Sequence, residues 1–270
     1  MRIALCLSGE LRTFKHCYKT ISTAFPTADV DIFITTWNRE DTSYAKSLDR
    51  VKSVVPVDDN SSIFDRFKVL ERKWIISGLD QIAFTDFMKP LPIFLLGRIE
   101  YLAKMSFERA GPEYDYYIRS RPDTKYLTDI ERHLVQDKVL VSEDIGGSAP
   151  HDTWAGTRMI YDGFAAGTYS LMKRYYSFTD WLPDYLSHHN EPIKAERTLG
   201  YFLQKVVQLP LKYKRDILGL QLNENDWYNR STPNTNGSLL EKRKFTFEYY
   251  KKNLEKYHKD LYEKYRNKLA

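Results

Sequence analysis

No apolar run in this 270-residue sequence approaches the roughly 20 residues that a membrane-spanning helix needs, which argues against a transmembrane chain. The opening Met1-Arg2-Ile3-Ala4-Leu5-Cys6-Leu7 superficially resembles a secretion signal. Its apolar run is short and meets Glu10 and Arg12 at once, so it reads as a strand. Cysteine is nearly absent. Cys6 and Cys17 make no disulfide framework, and a reduced, cytoplasmic compartment is expected. There is no GxGxxG or Walker sequence, which argues against a dinucleotide or P-loop site, and no GxSxG serine-hydrolase elbow. No internal repeat is visible. Excess charge is missing from most of the chain: of the net +5, residues 241–270 supply ten basic residues against five acidic ones, and the other 240 residues balance at 31 of each sign. The body therefore gives no electrostatic reason to expect a nucleic-acid partner.

What is present is a globular composition, 42% apolar and 29% charged, with 14% aromatic residues that include 20 tyrosines. That richness suits a carbohydrate-facing groove and equally a tyrosine-rich core. Residues 2–8 read as a buried strand. Ser8-Gly9-Glu10-Leu11-Arg12-Thr13 reads as a turn, with Thr13 as the cap of a helix whose apolar residues Phe14, Cys17, Tyr18, Ile21, Ala24 and Phe25 recur at helical spacing. A second strand at 31–36 closes on Trp37 and completes a β-α-β unit with parallel strands. Further strands are expected at 51–57 and 138–142, at the re-entrant stretch 159–167, and at 209–218. Helices are expected at 93–110 (stopped by Gly111-Pro112), 168–187 and 193–207, with a capping box at Thr128-x-x-Glu131 opening a short helix. Residues 143–157 form a long loop, of the kind that is more often functional than decorative. This gives a domain at 1–220, a polar linker at 221–239 and a basic helix at 240–270. Tyr250, Leu254, Tyr257, Leu261 and Tyr265 make one stripe of that helix.

The centre of the sequence is Tyr114-Asp115-Tyr116-Tyr117-Ile118-Arg119-Ser120-Arg121-Pro122-Asp123-Thr124. Aromatic and β-branched residues mark a buried strand, and proline ends it near Arg121. Two arginines and a carboxylate thus arrive at the carboxyl end of a central strand, the edge where open α/β sheets bind ligands. Arginines suit a diphosphate, and an aspartate there suits a bridging divalent metal. The same residues also suit an ordinary salt-bridged strand rim. Gly9, at a helix start, permits close approach of an anionic phosphate.

Four stretches in order carry a resemblance: Ile3 to Thr13, Asp31 to Trp37, Tyr114 to Asp123, and Tyr161-Asp162-Gly163-Phe164-Ala165-Ala166-Gly167. Together they resemble a glycosyltransferase family from bacterial surface-polysaccharide clusters and large DNA viruses, and are similar to the WavE lipopolysaccharide-synthesis family. The resemblance spans about residues 1–205. It implies a GT-A-like (Rossmann-like), mostly parallel α/β sheet flanked by helices. It also implies an Asp-x-Asp motif that holds Mn²⁺ or Mg²⁺ against the diphosphate of a nucleotide-sugar. The matching triplet here is Arg121-Pro122-Asp123. Asp123 keeps the last carboxylate as a metal ligand, while the arginine in first position opens the alternative that Arg119 and Arg121 neutralise the diphosphate themselves. Ser8, Gly9, Arg12, Trp37, Arg119 and Arg121 are then expected around the nucleotide-sugar. For Trp37 a core role is the alternative.

Sugar transfer with inversion needs a carboxylate base near the acceptor hydroxyl. Asp162 is the first candidate and Glu196 the second, and for Asp162 a structural hydrogen-bonding role is the alternative. His151 and Trp154 would line the sugar pocket. The function so implied is transfer of a sugar from a nucleotide-sugar to a glycan or lipid-linked acceptor in surface-polysaccharide synthesis. A non-catalytic nucleotide-sugar- or glycan-binding protein on the same fold is the alternative. The basic helix would touch the inner membrane face peripherally, or pack on the body.

Overall fold

The computed structural model describes residues 1–58, 61–67, 93–143, 157–158, 160–188, 195–214, 218–221, 227–228 and 263. The expected C-terminal helix lies outside these residues, apart from Glu263. A seven-stranded sheet dominates, built from β1 (Arg2–Ser8), β2 (Asp29–Trp37), β3 (Val51–Val57), β4 (Tyr116–Ser120), β6 (Val139–Glu143), β7 (Ile160–Gly167) and β8 (Leu211–Lys214). Its order is β3-β2-β1-β4-β7-β6-β8. β1 is parallel to β2 and β4, β2 to β3, and β6 to β8, whereas β7 runs antiparallel to both neighbours. A smaller antiparallel sheet joins β5 (Thr124–Tyr126), β9 (Leu218–Gln221) and β10 (Trp227–Tyr228). The architecture is mixed α/β with a mostly parallel central sheet. Among the described residues, no helix is long and apolar enough to cross a membrane.

Strand alternation sends residues to two separate cores. On one face Cys6, Phe33 and Tyr117 pack with Leu102, Ala103 and Phe107 of α4 (Ile93–Ala110). The same cluster takes in α5 (Tyr169–Tyr176), α6 (Phe178–His188) and α7 (Ala195–Tyr201). On the other face Leu5, Ile32 and Ile118 pack with Phe14 of α1 (Phe14–Tyr18), Ile21 of α2 (Ile21–Ala24) and Ala45 of α3 (Ser43–Lys46). Burying each such side chain contributes about 1.5–3 kcal/mol before the entropy cost of ordering it.

The chain moves from β1 outward to β2 and β3, and then α4 carries it back to the other side of β1, where β4 pairs. The strand order therefore reverses at β1. Crevices outside the carboxyl ends of strands at such a switch point are where open α/β sheets hold ligands. The α4–β4 connection fixes this geometry. Gly111 takes φ +69 at the end of α4, a conformation that costs glycine nothing. The Tyr117 hydroxyl donates to the Gly111 carbonyl at 2.6 Å and accepts from the Tyr114 N–H at 3.1 Å.

Several expected elements come out differently. The single helix after Thr13 is two short helices. Thr20 separates them: its hydroxyl donates back to the Cys17 carbonyl at 2.7 Å and accepts the Tyr126 N–H at 3.0 Å, so it serves β5 rather than a helix. Thr13 makes no side-chain cap bond. Glu131 opens only a three-residue 3₁₀ turn. Its carboxylate instead accepts the Thr27 and Ala28 N–H groups (3.0 and 3.2 Å) and the Thr27 hydroxyl, which clamps the approach to β2. The expected helix at 168–187 is split into α5 and α6, and that at 193–207 ends in a π turn over Phe202–Val206. The expected strand at 209–218 is divided between β8 and β9, which belong to different sheets.

Tyr117→Phe removes both hydroxyl contacts while keeping the ring. It is expected to lower unfolding free energy by about 1–3 kcal/mol, read by denaturant titration, because a buried N–H and a carbonyl lose their partner together.

Candidate functional site

The turn after β1 begins at Ser8, which is fully buried, and bends at Gly9, whose φ of +120 is strained for any L side chain. The end of β2 holds this turn from below. The Gly9 N–H donates to the Thr35 carbonyl at 3.3 Å, and the Thr36 hydroxyl donates to the Gly9 carbonyl at 2.7 Å. The Leu11 N–H donates to Glu40 at 3.0 Å. At the end of β4 the chain also turns, with Pro122 in second position and the Thr124 N–H closing on the Arg121 carbonyl at 3.1 Å. The two turns touch: a Cβ built on Gly9 would sit 3.8 Å from Cδ of Pro122. The β1 turn and the central strand end thus lie side by side at the switch point.

A ladder of charges joins them. Arg121 grips Asp123 with two parallel bonds, Nε to Oδ1 at 2.8 Å and Nη2 to Oδ2 at 2.7 Å. Arg12 reaches from the β1 turn to the same Oδ2 at 3.2 Å. The other guanidinium nitrogen of Arg12, Nη1, contacts Glu10 Oε2 at 3.0 Å, and Glu10 Oε1 accepts from Arg39 at 3.3 Å. Arg39 in turn lies over the Trp37 ring, 5.8 Å from its centroid. Asp123 is only 2% exposed. Burial pushes its carboxyl pKa up, but the charges and hydrogen bonds of Arg121 and then Arg12 outweigh that and hold it below the usual carboxylate value.

The residues expected at the site are distributed unevenly. Ser8, Gly9, Arg12, Arg121 and Asp123 come together. Arg119 does not join them, although β4 delivers it one residue before the strand end. Alternation turns it toward α4, where it is completely buried and bonds to Glu100, itself 0% exposed. The expected contact of Arg119 with a diphosphate is replaced by a core ion pair. Trp37 likewise takes the core role: it is buried and packs on Phe64 with ring centroids 5.6 Å apart. Asp162 lies in β7, where Phe164 pairs with Ser120 in antiparallel register. The backbone of residue 162 therefore falls beyond the end of β4, on the same sheet edge as Asp123. Glu196 lies at the start of α7, which packs on β7. The side chains of Asp162 and Glu196 lie outside the description, and His151 and Trp154 lie outside the described residues altogether.

Two contributors were not foreseen. Glu10 stands inside the turn that the sequence singles out, and Arg39 follows the strand that ends at Trp37. An acidic residue two positions before Arg12 was the available signal for the first. For Glu100 the signal was periodicity, since it shares the inward α4 face with Ala103 and Phe107 and a glutamate there calls for a buried cation.

Chemically the cluster is a row of three guanidinium groups, those of Arg39, Arg12 and Arg121, joined in alternation by the carboxylates of Glu10 and Asp123. It does not fit Mn²⁺ or Mg²⁺ at Asp123, because both carboxylate oxygens already accept from guanidinium groups and a cation would have to displace them. Nor does the edge offer a thiol nucleophile: burial pushes the Cys17 thiol up to about 11, a Thr13 hydrogen bond acting the other way, and burial pushes Cys6 higher still. Compared with known proteins, the sequence matches no family model and no curated protein.

Because the Asp123 carboxyl is depressed in the folded chain, its contribution to stability is present above its unfolded value of about 3.9 and is lost as pH falls through the lower folded value. Asp123→Asn is expected to cost about 1.5–3 kcal/mol at pH 7, the range for hydrogen bonds to a charged group. In paired unfolding titrations, the gap between the two proteins should close as the pH is lowered below 4.

Proposed function

We propose that this chain is a nucleotide-sugar-dependent glycosyltransferase with a GT-A-type sheet, acting on a glycan or lipid-linked acceptor in surface-polysaccharide or lipopolysaccharide synthesis. One observation carries the reading. Arg12 from the β1 turn and Arg121 from the end of β4 converge on Asp123 at the carboxyl edge of parallel strands, where the strand order reverses. The resemblance of the four sequence stretches, including Arg121-Pro122-Asp123 in place of Asp-x-Asp, supplies the donor class.

In this reading Asp123 is a positioning residue. It fixes two guanidinium groups, and these neutralise the charge that grows on the leaving nucleoside diphosphate as the C1–O bond breaks. Gly9 keeps the backbone free of a side chain where the phosphates approach. Asp162 serves as base toward the acceptor hydroxyl from the neighbouring strand, with Glu196 as the second candidate. His151 and Trp154 line the sugar pocket. The basic segment 241–270 gives peripheral contact with the inner membrane face, beside lipid-linked acceptors.

The test is a thermal-shift panel of nucleotides and nucleotide-sugars, run with Mn²⁺ and again with chelator. A matching donor at 100 times its Kd should stabilise the fold by about 2.7 kcal/mol. The shift should be the same in chelator and should largely vanish in Arg12→Gln. Release of nucleoside diphosphate in the presence of acceptor then separates an enzyme from a binding protein. No shift with any nucleotide-sugar overturns the proposal.

A further inference from the structure

The cluster contains two carboxylates in different situations. The Asp123 side chain is 3% exposed and holds Arg121 and Arg12 from beneath. The Glu10 side chain is 37% exposed and bridges Arg12 and Arg39, which are 43% and 52% exposed. Glu10 and both of its arginine partners are thus within reach of solvent, whereas Asp123 is not. The two Glu10 oxygens occupy separate donors, Nη1 of Arg12 and Nη2 of Arg39, as two oxygens of a phosphoryl group would. The nearby Glu40 is engaged otherwise, accepting the Leu11 N–H.

We infer that Glu10 is a competing internal anion: it occupies the arginine site in the ligand-free protein and must be displaced by an incoming diphosphate. This rests on the reading of the cluster as a diphosphate site. Exposed ion pairs are weak, so the displacement is readily reversible. Its consequence is a penalty on occupancy: any phosphoryl group that takes the place of the Glu10 carboxylate on Arg12 and Arg39 must first displace it and binds more weakly for doing so. The Gly9 turn supports the exchange, because Glu10 follows a glycine and hangs from a loop rather than from a strand.

The experiment titrates full-length wild type and Glu10→Gln by calorimetry with inorganic pyrophosphate and with inorganic phosphate, at one ionic strength. Glutamine keeps the shape, and the position is partly exposed, so the variant is expected to fold. Glu10→Gln should bind both anions more tightly, by about three- to tenfold, which corresponds to one or two exposed ion pairs no longer opposing the ligand. If wild type binds pyrophosphate and Glu10→Gln binds it equally or more weakly, Glu10 supports the site rather than competing for it. The inference then fails while the diphosphate reading survives. If neither protein binds either anion, the diphosphate reading fails and takes the inference with it.

Discussion

A carboxylate at 2% exposure, gripped on both oxygens by arginines from two different strand ends, is the interaction on which this sheet edge depends. Asp123 and Arg121 are neighbours in sequence, but Arg12 lies 111 residues away. The bond between them ties the turn after β1 to the turn after β4. An isolated carboxylate buried to this extent is costly, so the arrangement is stable only with its guanidinium partners in place. The reverse also holds. Without Asp123, Arg12 and Arg121 would lose the carboxylate that they share. The carboxylate holds the two guanidinium groups as an oriented pair, and orientation is what the proposed diphosphate site would require.

The layer beneath is arranged by strand parity. β4 carries Tyr117 and Arg119 to one face and Tyr116 and Ile118 to the other. Tyr117 secures the end of α4, and Arg119 meets Glu100 from the middle of the same helix. One strand thus fixes one helix twice, by a hydroxyl and by a buried ion pair. Such pairs do little for net stability compared with apolar packing, yet removing one partner alone leaves an uncompensated charge in the core. The sheet edge stands on this foundation: Ser106 of α4 donates to the Leu7 carbonyl and shares a 2.7 Å bond with Thr35, directly under the β1 turn.

Local pattern made much of this legible before any coordinates. The boundaries of β1 and α4 and the stop at Gly111 follow from apolar periodicity and from glycine and proline chemistry, which act within a few residues. The meeting of Gly9 with the Arg121-Pro122-Asp123 turn followed from β-α-β logic. What failed was whatever depends on a distant partner. Thr20 breaks a helix because Tyr126 needs an acceptor, and Glu131 abandons a capping box for the N–H groups of Thr27 and Ala28. Arg119 looked like a ligand-binding arginine because nothing near it in sequence reveals that Glu100 waits on the facing helix. Glu10 and Arg39 were overlooked for the same reason, since their ladder exists only once β1 and β2 lie side by side.

The central claim is that the outward guanidinium groups at this edge receive the phosphates of a nucleoside diphosphate. A crystal structure of the full-length protein with a bound nucleoside diphosphate tests it most directly. The account predicts phosphate oxygens within hydrogen-bonding distance of Arg12 and Arg121, with Asp123 still gripping both from below and Glu10 displaced. A diphosphate bound elsewhere on the molecule, with the Arg39–Glu10–Arg12–Asp123–Arg121 ladder intact, would contradict it.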